Sequence, residues 1–290
     1  MSRAKYISRC GGIWSSAGGM MKTLQVAGVA IFALSAPAMA ADVSAYGPPP
    51  LYGPIPPGAP WVGCYGGGNL GGVQGNANFN WTPDIAGFPI SGPELTTYGQ
   101  YTLHPAGVTG GAQVGCNYQT GVFAWGAEGD FGYTGLSASR NVTTINQQFT
   151  FPAIPPFNVA ESVQSDFLAT IRGRLGLISG AGGAWLFYIT GGGAFANVRF
   201  SDSACFPLAE GGCNTDSATS VKFGWTAGAG VEWAFAPRWS AKAEYLFANL
   251  GNVNYISTNS IPSINPLATI LHNHTLTENI GRIGVNWHFY

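Results

Sequence analysis

Polar and apolar positions alternate one by one along several segments of the chain, and residues 222–235 show this pattern most plainly. The odd positions there carry apolar side chains such as Phe223 and Trp233, whereas the even positions are charged, polar or small. Successive side chains of a β-strand point to opposite faces, so a period of two predicts a strand with one apolar face. The pattern recurs at residues 123–133, 166–175, 239–247 and 282–289. The chain is therefore expected to be all-β.

The connections between these segments alternate in length. Long polar stretches occupy residues 73–106, 135–161, 202–218 and 251–275. Short turns occupy residues 119–121, 179–183 and 236–237. Four long and three short connections imply eight strands, and such alternation is typical of membrane-spanning barrels. We predict an eight-stranded antiparallel transmembrane up-and-down β-barrel, with its long loops extracellular and both of its ends periplasmic.

Aromatic side chains lie near both ends of the apolar faces, with smaller residues between them. Ten residues at about 3.3 Å each, tilted by roughly 40°, span about 25 Å, which matches the apolar band of a membrane barrel. A soluble β-sandwich, the alternative, would place its largest side chains centrally. The predicted aromatic girdles consist of Phe223, Trp225, Trp233, Phe235, Trp239, Tyr245, Phe247, Trp287 and Phe289.

Charged side chains lie on the opposite face of the same strands. They are Glu128, Asp130, Asp166, Arg172, Arg174, Lys222, Glu232, Lys242, Glu244 and Arg282. An eight-stranded barrel has an interior that side chains can fill. Five acids facing five bases there predict a buried ion-pair network that closes the lumen. A narrow or gated water path through the barrel stays open as an alternative.

Composition excludes several classes of protein. Only 9% of the residues are charged and the formal net charge is -1, so the chain offers no electrostatic reason to bind nucleic acid. Beyond residue 40, no apolar stretch approaches the roughly 20 residues that a membrane-spanning helix needs. Aromatic residues make up 13% of the chain, which suits strands with one apolar face. We expect a monomer surrounded by outer-membrane lipid and lipopolysaccharide.

Residues 1–40 are predicted to be a leader with a signal peptide. An apolar run follows Lys22, and Ala38 and Ala40 are small residues where a signal peptidase reads its cleavage site. A first transmembrane helix is the alternative, but the apolar run is short for one. Residues 41–60 are rich in proline, which cannot donate ladder hydrogen bonds, and predict an extended periplasmic tether. Residues 61–290 are expected to form the outer-membrane β-barrel.

Four cysteines fall in the predicted barrel. Cys205 and Cys213 bracket a short stretch of a long loop, and in an oxidising compartment they predict a disulfide. Cys64 and Cys116 are expected near one rim of the first two strands, where a second disulfide and two free thiols both stay open. Neither spacing resembles a zinc-binding CxxC pair.

Three histidines lie at loop borders on one side of the predicted barrel, namely His104, His272 and His274. They could meet as a metal or haem site, but we predict solvated loop residues and no metal or cofactor. No arrangement of Ser, His and Asp indicates catalysis, so no enzyme is expected. A phosphate-binding loop opens a helix and is followed by Lys and Ser or Thr. The glycine runs at 66–68 and 191–193 have neither feature, so they are expected where strands bend and pack closely.

Three segments resemble a known family. They are SDFLATIRGRLG (165–176), GWTAGAGVEWAFAPRWSAKAEYLFANLG (224–251) and the terminal RIGVNWHFY. Together and in this order they are similar to the alphaproteobacterial outer-membrane β-barrel family, a porin-family relative of the OmpA membrane domain. The resemblance covers residues 61–290. The chain departs from the family in its longer proline-rich tether and in Tyr290, which follows the terminal aromatic Phe289. In related barrels the assembly machinery reads this last strand.

The resemblance implies an abundant surface antigen that stiffens the outer membrane. Members of the family are variously described as structural, weakly porin-like or haemin-binding. The leading hypothesis is a structural barrel that stabilises the outer membrane and displays surface loops. The alternatives are a narrow passive channel for small solutes and a surface protein whose loops bind haem or a host.

Overall fold

The computed structural model describes residues 61–84, 86–88, 91–144, 156–206, 212–260 and 267–289. The predicted signal peptide and the proline-rich tether lie outside these residues. Among the residues described, no helix is long and apolar enough to cross a membrane.

Ten β-strands lie within the described residues, and eight of them are long. The long strands are β1 (Gly63–Phe79), β4 (Ala106–Thr120), β5 (Phe123–Thr143), β6 (Asn158–Ser179), β7 (Trp185–Phe206), β8 (Gly212–Ala236), β9 (Trp239–Thr258) and β10 (Thr269–Phe289). Two strands of three residues, β2 (Trp81–Pro83) and β3 (Tyr101–Leu103), flank helix α1 (Gly92–Gly99) between β1 and β4. A 3-10 turn at Ala181–Gly183 joins β6 to β7.

The eight long strands pair in one antiparallel ring, in the order β1-β4-β5-β6-β7-β8-β9-β10. The ring closes because β10 pairs with β1, from Phe289 opposite Cys64 to Thr275 opposite Asn78. Closure leaves no unpaired edge along the barrel wall. The predicted eight-stranded antiparallel barrel is confirmed. We call the end that carries the connections β4–β5, β6–β7 and β8–β9 the short-turn end, and the opposite end, which carries α1, the long-loop end.

An apolar belt covers the outer wall of the barrel. On β7 the outward positions are apolar or glycine from Trp185 to Phe195, and they become polar beyond it, at Asn197 and Arg199. On β8 the side chain of Phe223 is 69% exposed. All nine aromatics of the predicted girdles lie at exposed or half-exposed positions of this wall. A continuous belt of this kind suits an environment of acyl chains rather than water.

The strands extend well beyond the apolar belt, which differs from the sequence prediction. The predicted loop at 202–218, for example, is mostly strand, because β7 runs to Phe206 and β8 begins at Gly212. Outward residues of these extensions are polar, such as Ser201 and Ser217. Apolar alternation identifies a strand only where its outer face is apolar. The predicted strands therefore end at the edge of the belt, although the strands themselves continue.

Two bulges exchange the inward and outward positions within a strand. In β6 the register with β7 shifts between Ser165 and Leu168, so that odd positions face inward before the bulge and even positions after it. In β9 a register shift beside Gly251, whose φ is 71°, has the same effect. Each bulge adds one residue to one strand and reverses the face of every residue beyond it.

Gly192 provides a test of how closely the strands approach each other. It lies opposite Arg172 of β6, and a methyl group added to it would collide with the backbone carbonyl of Ile171. A methyl group on the neighbouring Gly191 would lie 3.5 Å from the nearest atom, the carbonyl oxygen of Thr226. We expect Gly192→Ala to lower the free energy of unfolding by about 1–3 kcal/mol, because overpacking forces the strands apart. Urea unfolding in lipid vesicles would measure this.

Gly191→Ala is the matched control for that measurement and should change stability little. Equal losses in the two variants would show that the approach of β6 to β7 imposes no special demand at Gly192.

Candidate functional site in the barrel interior

Eight charged side chains meet inside the barrel at the height of the apolar belt. They are Glu128 and Asp130 on β5, Arg172 and Arg174 on β6, Glu232 on β8, Lys242 and Glu244 on β9, and Arg282 on β10. Four acids face four bases, and all eight residues are buried. We call this set the ion-pair network.

The ion-pair network crosses the full width of the barrel. β5 and β9 occupy opposite positions in the ring, yet Lys242 Nζ lies 3.0 Å from both carboxylate oxygens of Glu128. Arg172 on β6 reaches the same two strands, since its Nη1 donates to Glu244 at 3.0 Å and its Nη2 to Asp130 at 2.8 Å. Because these contacts connect opposite walls, they fill the lumen at this height.

Neutral side chains complete the hydrogen bonding of the carboxylates. Tyr65 of β1 donates to Glu128 at 2.7 Å, and Tyr188 of β7 donates to Glu244 at 3.0 Å. Buried ion pairs cost desolvation energy that their mutual attraction offsets only when the remaining lone pairs are also satisfied. The two tyrosines supply such partners, so the network meets this condition at its centre.

Two of the ten charges predicted for the lumen lie outside the network. Asp166 is exposed on the outer wall, because the β6 bulge places it on the opposite face from Arg172. It accepts a hydrogen bond from Asn197 at 3.5 Å. Lys222 is half-buried and lies nearer to the long-loop end, opposite Ala196, and no acid among the described residues forms an ion pair with it. The prediction that these two residues join the network is wrong.

Apolar side chains fill the interior on both sides of the ion-pair network. At the short-turn end Trp61 is fully buried against Leu186, and its indole donates to the carbonyl of Gly183 at 2.8 Å. Toward the long-loop end lies a larger cluster that includes Leu246 and Ile280. The sequence predicts polar or small inward positions, and these apolar layers depart from that prediction.

A second polar cluster lies inside the barrel, beyond the apolar belt. Asp202 of β7 is buried there with His272 and His274 of β10, and atoms of all three that could bind a metal lie within 4.8 Å of one another. His274 Nε2 is 2.6 Å and His272 Nδ1 is 2.9 Å from the same oxygen, Asp202 Oδ2. Tyr255 of β9 also donates to that oxygen. We call Asp202, His272 and His274 the His-Asp cluster.

The prediction of solvated loop histidines is wrong for His272 and His274. β10 alternates without interruption from Ile270 to His288, so its even positions point into the barrel. This period of two, continued back from Arg282, was the signal that the sequence offered. His104 is exposed, its Nδ1 lies 2.8 Å from Asn76 Oδ1, and it is not part of the cluster.

Burial and neighbouring charges set the ionisation of the carboxyls around the His-Asp cluster. Burial by itself would raise the pKa of Asp202, but the contacts with His272 and His274 hold it below its ordinary value. Burial raises the pKa of Glu161 to about 7, although Arg140 donates to this carboxyl at 3.1 Å. Asp202 is thus ionised at neutral pH, whereas the carboxyl of Glu161 titrates close to neutral pH.

Two disulfides join neighbouring strands. Cys64 of β1 and Cys116 of β4 are paired in register on the outer wall and bonded to each other, which settles the alternative that the sequence left open. Cys205 and Cys213 are bonded at the ends of β7 and β8, and they are the pair that the sequence predicts. They link two strand ends directly opposite each other.

Sequence reasoning missed several acids of the interior. Glu161, Asp202 and Glu278 are all buried. Glu161 and Asp202 stand at the borders of predicted loops, where the outer face had already lost its apolar side chains. Glu278 shares the inward face of β10 with Arg282 and could have been found by extending that alternation.

Comparison with known proteins identifies the family. A family model described as outer membrane protein beta-barrel domain matches residues 27–289. The 31 kDa outer-membrane immunogenic protein of Brucella melitensis biotype 1 is 30% identical over 274 residues, which cover 93% of this chain and 100% of the relative. The 25 kDa outer-membrane immunogenic protein of Brucella abortus biovar 1 is 24% identical over 270 residues, which cover 93% and 99%.

Solved structures that match this chain do so with low TM-scores. OprG from Pseudomonas aeruginosa has a TM-score of 0.40 at 10% identity and covers 79% of this chain and 97% of its own. Ail of Yersinia pestis has a TM-score of 0.31 at 10% identity and covers 76% and 99%. These scores are too low to carry a conclusion. The family model and the Brucella relatives agree with the resemblance found in the sequence, and the chain belongs to the outer membrane protein beta-barrel family of the bacterial outer membrane.

Proposed function

We propose that this protein is a structural barrel that stabilises the outer membrane and displays surface loops, rather than a diffusion channel. One observation carries the proposal: the ion-pair network connects opposite walls of the barrel, with Lys242 Nζ 3.0 Å from Glu128 across the ring. Side chains that cross the lumen at this height obstruct a path for water along the barrel axis. The apolar layers around Trp61 and Leu246 support the same conclusion.

We further propose that the long-loop end is extracellular and that the proline-rich tether is periplasmic. Trp61 and Phe289 both lie at the short-turn end, and short turns are periplasmic in membrane barrels of this type. The Brucella relatives are named as immunogenic, which supports surface display of the loops. The partners we propose are outer-membrane lipid and lipopolysaccharide around a monomer, with the barrel assembly machinery acting during biogenesis.

Ion conductance tests the proposal directly. The wild-type protein, refolded into planar bilayers, should show no large, stable conductance steps, because the interior is filled. Liposomes that contain it should not swell in small sugars. Large and stable steps would contradict the structural proposal and support the alternative of a narrow channel.

A paired variant tests whether the ion-pair network is what closes the lumen. Arg174 Nη2 lies 2.8 Å from Glu232 Oε2, so Arg174→Ala with Glu232→Ala removes both partners of one ion pair and leaves the net charge unchanged. We expect this double variant to conduct ions measurably more than the wild type. The matched control is Lys222→Ala, which removes an interior charge outside the network and should leave conductance unchanged. Equal conductance of all three proteins would show that other layers close the barrel.

A further inference from the structure

The His-Asp cluster contains the type of ligands that a transition metal selects. Two imidazoles and one carboxylate form a common zinc site, with a fourth position left for water or another oxygen. The three side chains come from β7 and β10, which are not neighbours in the ring. All three are at most 2% exposed, and their candidate ligand atoms lie within 4.8 Å of one another.

Several polar atoms of the cluster have no hydrogen-bond partner among the described residues. Asp202 presents Oδ2 to both imidazoles, while its second oxygen, Oδ1, is buried without a partner. His274 Nδ1 is likewise buried without one. Buried polar atoms that lack partners are costly. An ion that binds between the carboxylate and the imidazoles would remove the crowding of several groups onto one oxygen.

Surrounding residues hold the ligands in place as the outer shell of a metal site does. His272 Nε2 lies 2.9 Å from Ser257 Oγ, which orients the ring and leaves Nδ1 directed at Asp202. Tyr255 stacks on the His272 ring at 4.8 Å between centroids and donates to Asp202. Such second contacts fix the tautomer and the orientation of ligating histidines.

Aromatic rings enclose the cluster. Phe79 lies 4.5 Å and Phe200 4.9 Å from the His274 ring, and Trp81 of β2 lies 5.1 Å from the His272 ring, measured between centroids. This enclosure limits access of water, which strengthens electrostatic interactions within the cluster.

The charge of the surrounding interior favours a cation. The ion-pair network is balanced, but between it and the long-loop end the inward-facing charged residues are mostly acids. Those that are buried or half-buried are Glu161, Asp202, Asp216 and Glu278, against Arg140 and Lys222. Four carboxyl groups against two bases leave an excess of acids in this part of the interior. A cation bound here would offset that excess.

We propose that Asp202, His272 and His274 form a binding site for one divalent transition-metal ion of the zinc class, enclosed in the barrel near its long-loop end. The site is separate from the ion-pair network and does not depend on whether the lumen conducts. It revises the expectation from the sequence that the chain holds no metal.

Metal retention after refolding tests the proposal. The mature protein, without an affinity tag, would be refolded in detergent with Zn²⁺ or Co²⁺ and then passed through a desalting column. Elemental analysis should find about one ion per barrel, and bound Co²⁺ should show the visible absorption of a low-symmetry nitrogen and oxygen site. Wild-type protein that folds but retains no ion above the level of a buffer blank would overturn the proposal without any variant.

Variants locate the ion. Asp202→Asn preserves the shape of the side chain and should weaken retention at least tenfold, as should His272→Gln and His274→Gln. The matched control is His104→Gln, which changes an exposed histidine outside the cluster and should retain one ion. Heat-modifiable migration on gels would show that each variant folds. If the three cluster variants fold and retain as much metal as the His104 variant, the ion binds elsewhere and the proposal is wrong.

Discussion

Arg172→Met should destabilise the barrel by about 3–5 kcal/mol, the cost of breaking a buried ion pair and leaving its partner charges without compensation. The Arg172 side chain is fully buried and contacts three carboxylates, those of Glu128, Asp130 and Glu244. A methionine replaces the apolar stem of the arginine but cannot offset these charges. Equilibrium urea unfolding in lipid vesicles, followed by tryptophan fluorescence, would measure the loss.

Two further variants separate charge from packing in that measurement. Adding Glu244→Gln to Arg172→Met removes one of the uncompensated carboxylates and should recover part of the lost stability. Arg199→Met is the matched control, because Arg199 is an exposed arginine on the outer wall of β7. This substitution should not change the free energy of unfolding measurably. If Arg172→Met and Arg199→Met unfolded at the same urea concentration, the ion-pair network would not stabilise the fold.

Ala229→Arg should destabilise the barrel by about 2–4 kcal/mol, the cost of an arginine on the lipid face near the middle of the bilayer. Ala229 is exposed on the outer wall of β8, six residues from Phe223 on one side and six from Phe235 on the other. An arginine there lies too deep for its guanidinium to reach water without distorting the bilayer. The same unfolding measurement in vesicles would quantify the effect.

Ser217→Arg is the matched control for Ala229→Arg, since Ser217 faces outward on the same strand beyond the apolar belt. Its effect should be close to zero, because the new side chain stays in water. Equal losses at Ala229 and Ser217 would show that the belt is not surrounded by acyl chains, and the assignment of the membrane position would fail.

The interior of the barrel is layered along its axis. The even-numbered residues of β10 lie in successive layers. From the short-turn end these residues are His288, then Arg282 in the ion-pair network, Ile280 in the apolar cluster and His272 near the long-loop end. Charges that would be costly next to lipid lie inside, and each charged layer is bordered by apolar side chains. This order separates the network, which we propose closes the lumen, from the His-Asp cluster, which we propose binds a metal.

Local pattern was sufficient for the fold class. Alternation with a period of two marks a strand wherever one face is apolar, so five of the eight crossings, the outward girdles and eight of the ten charges predicted for the network followed from residues close together in the chain. The alternation of long and short connections gave the strand count. These features depend on contact between each strand and the surrounding lipid, which every strand makes independently of the others.

Packing in three dimensions settled the rest. The β6 bulge places Asp166 on the outer wall. One extra residue in the strand reverses the alternation, whereas the prediction assumed that the alternation continues through the strand. The His-Asp cluster joins Asp202 to His274 across 72 positions of the chain and from strands that are not paired. No local pattern in the sequence predicts that these residues are in contact, because only closure of the ring brings β7 and β10 to face each other across the interior.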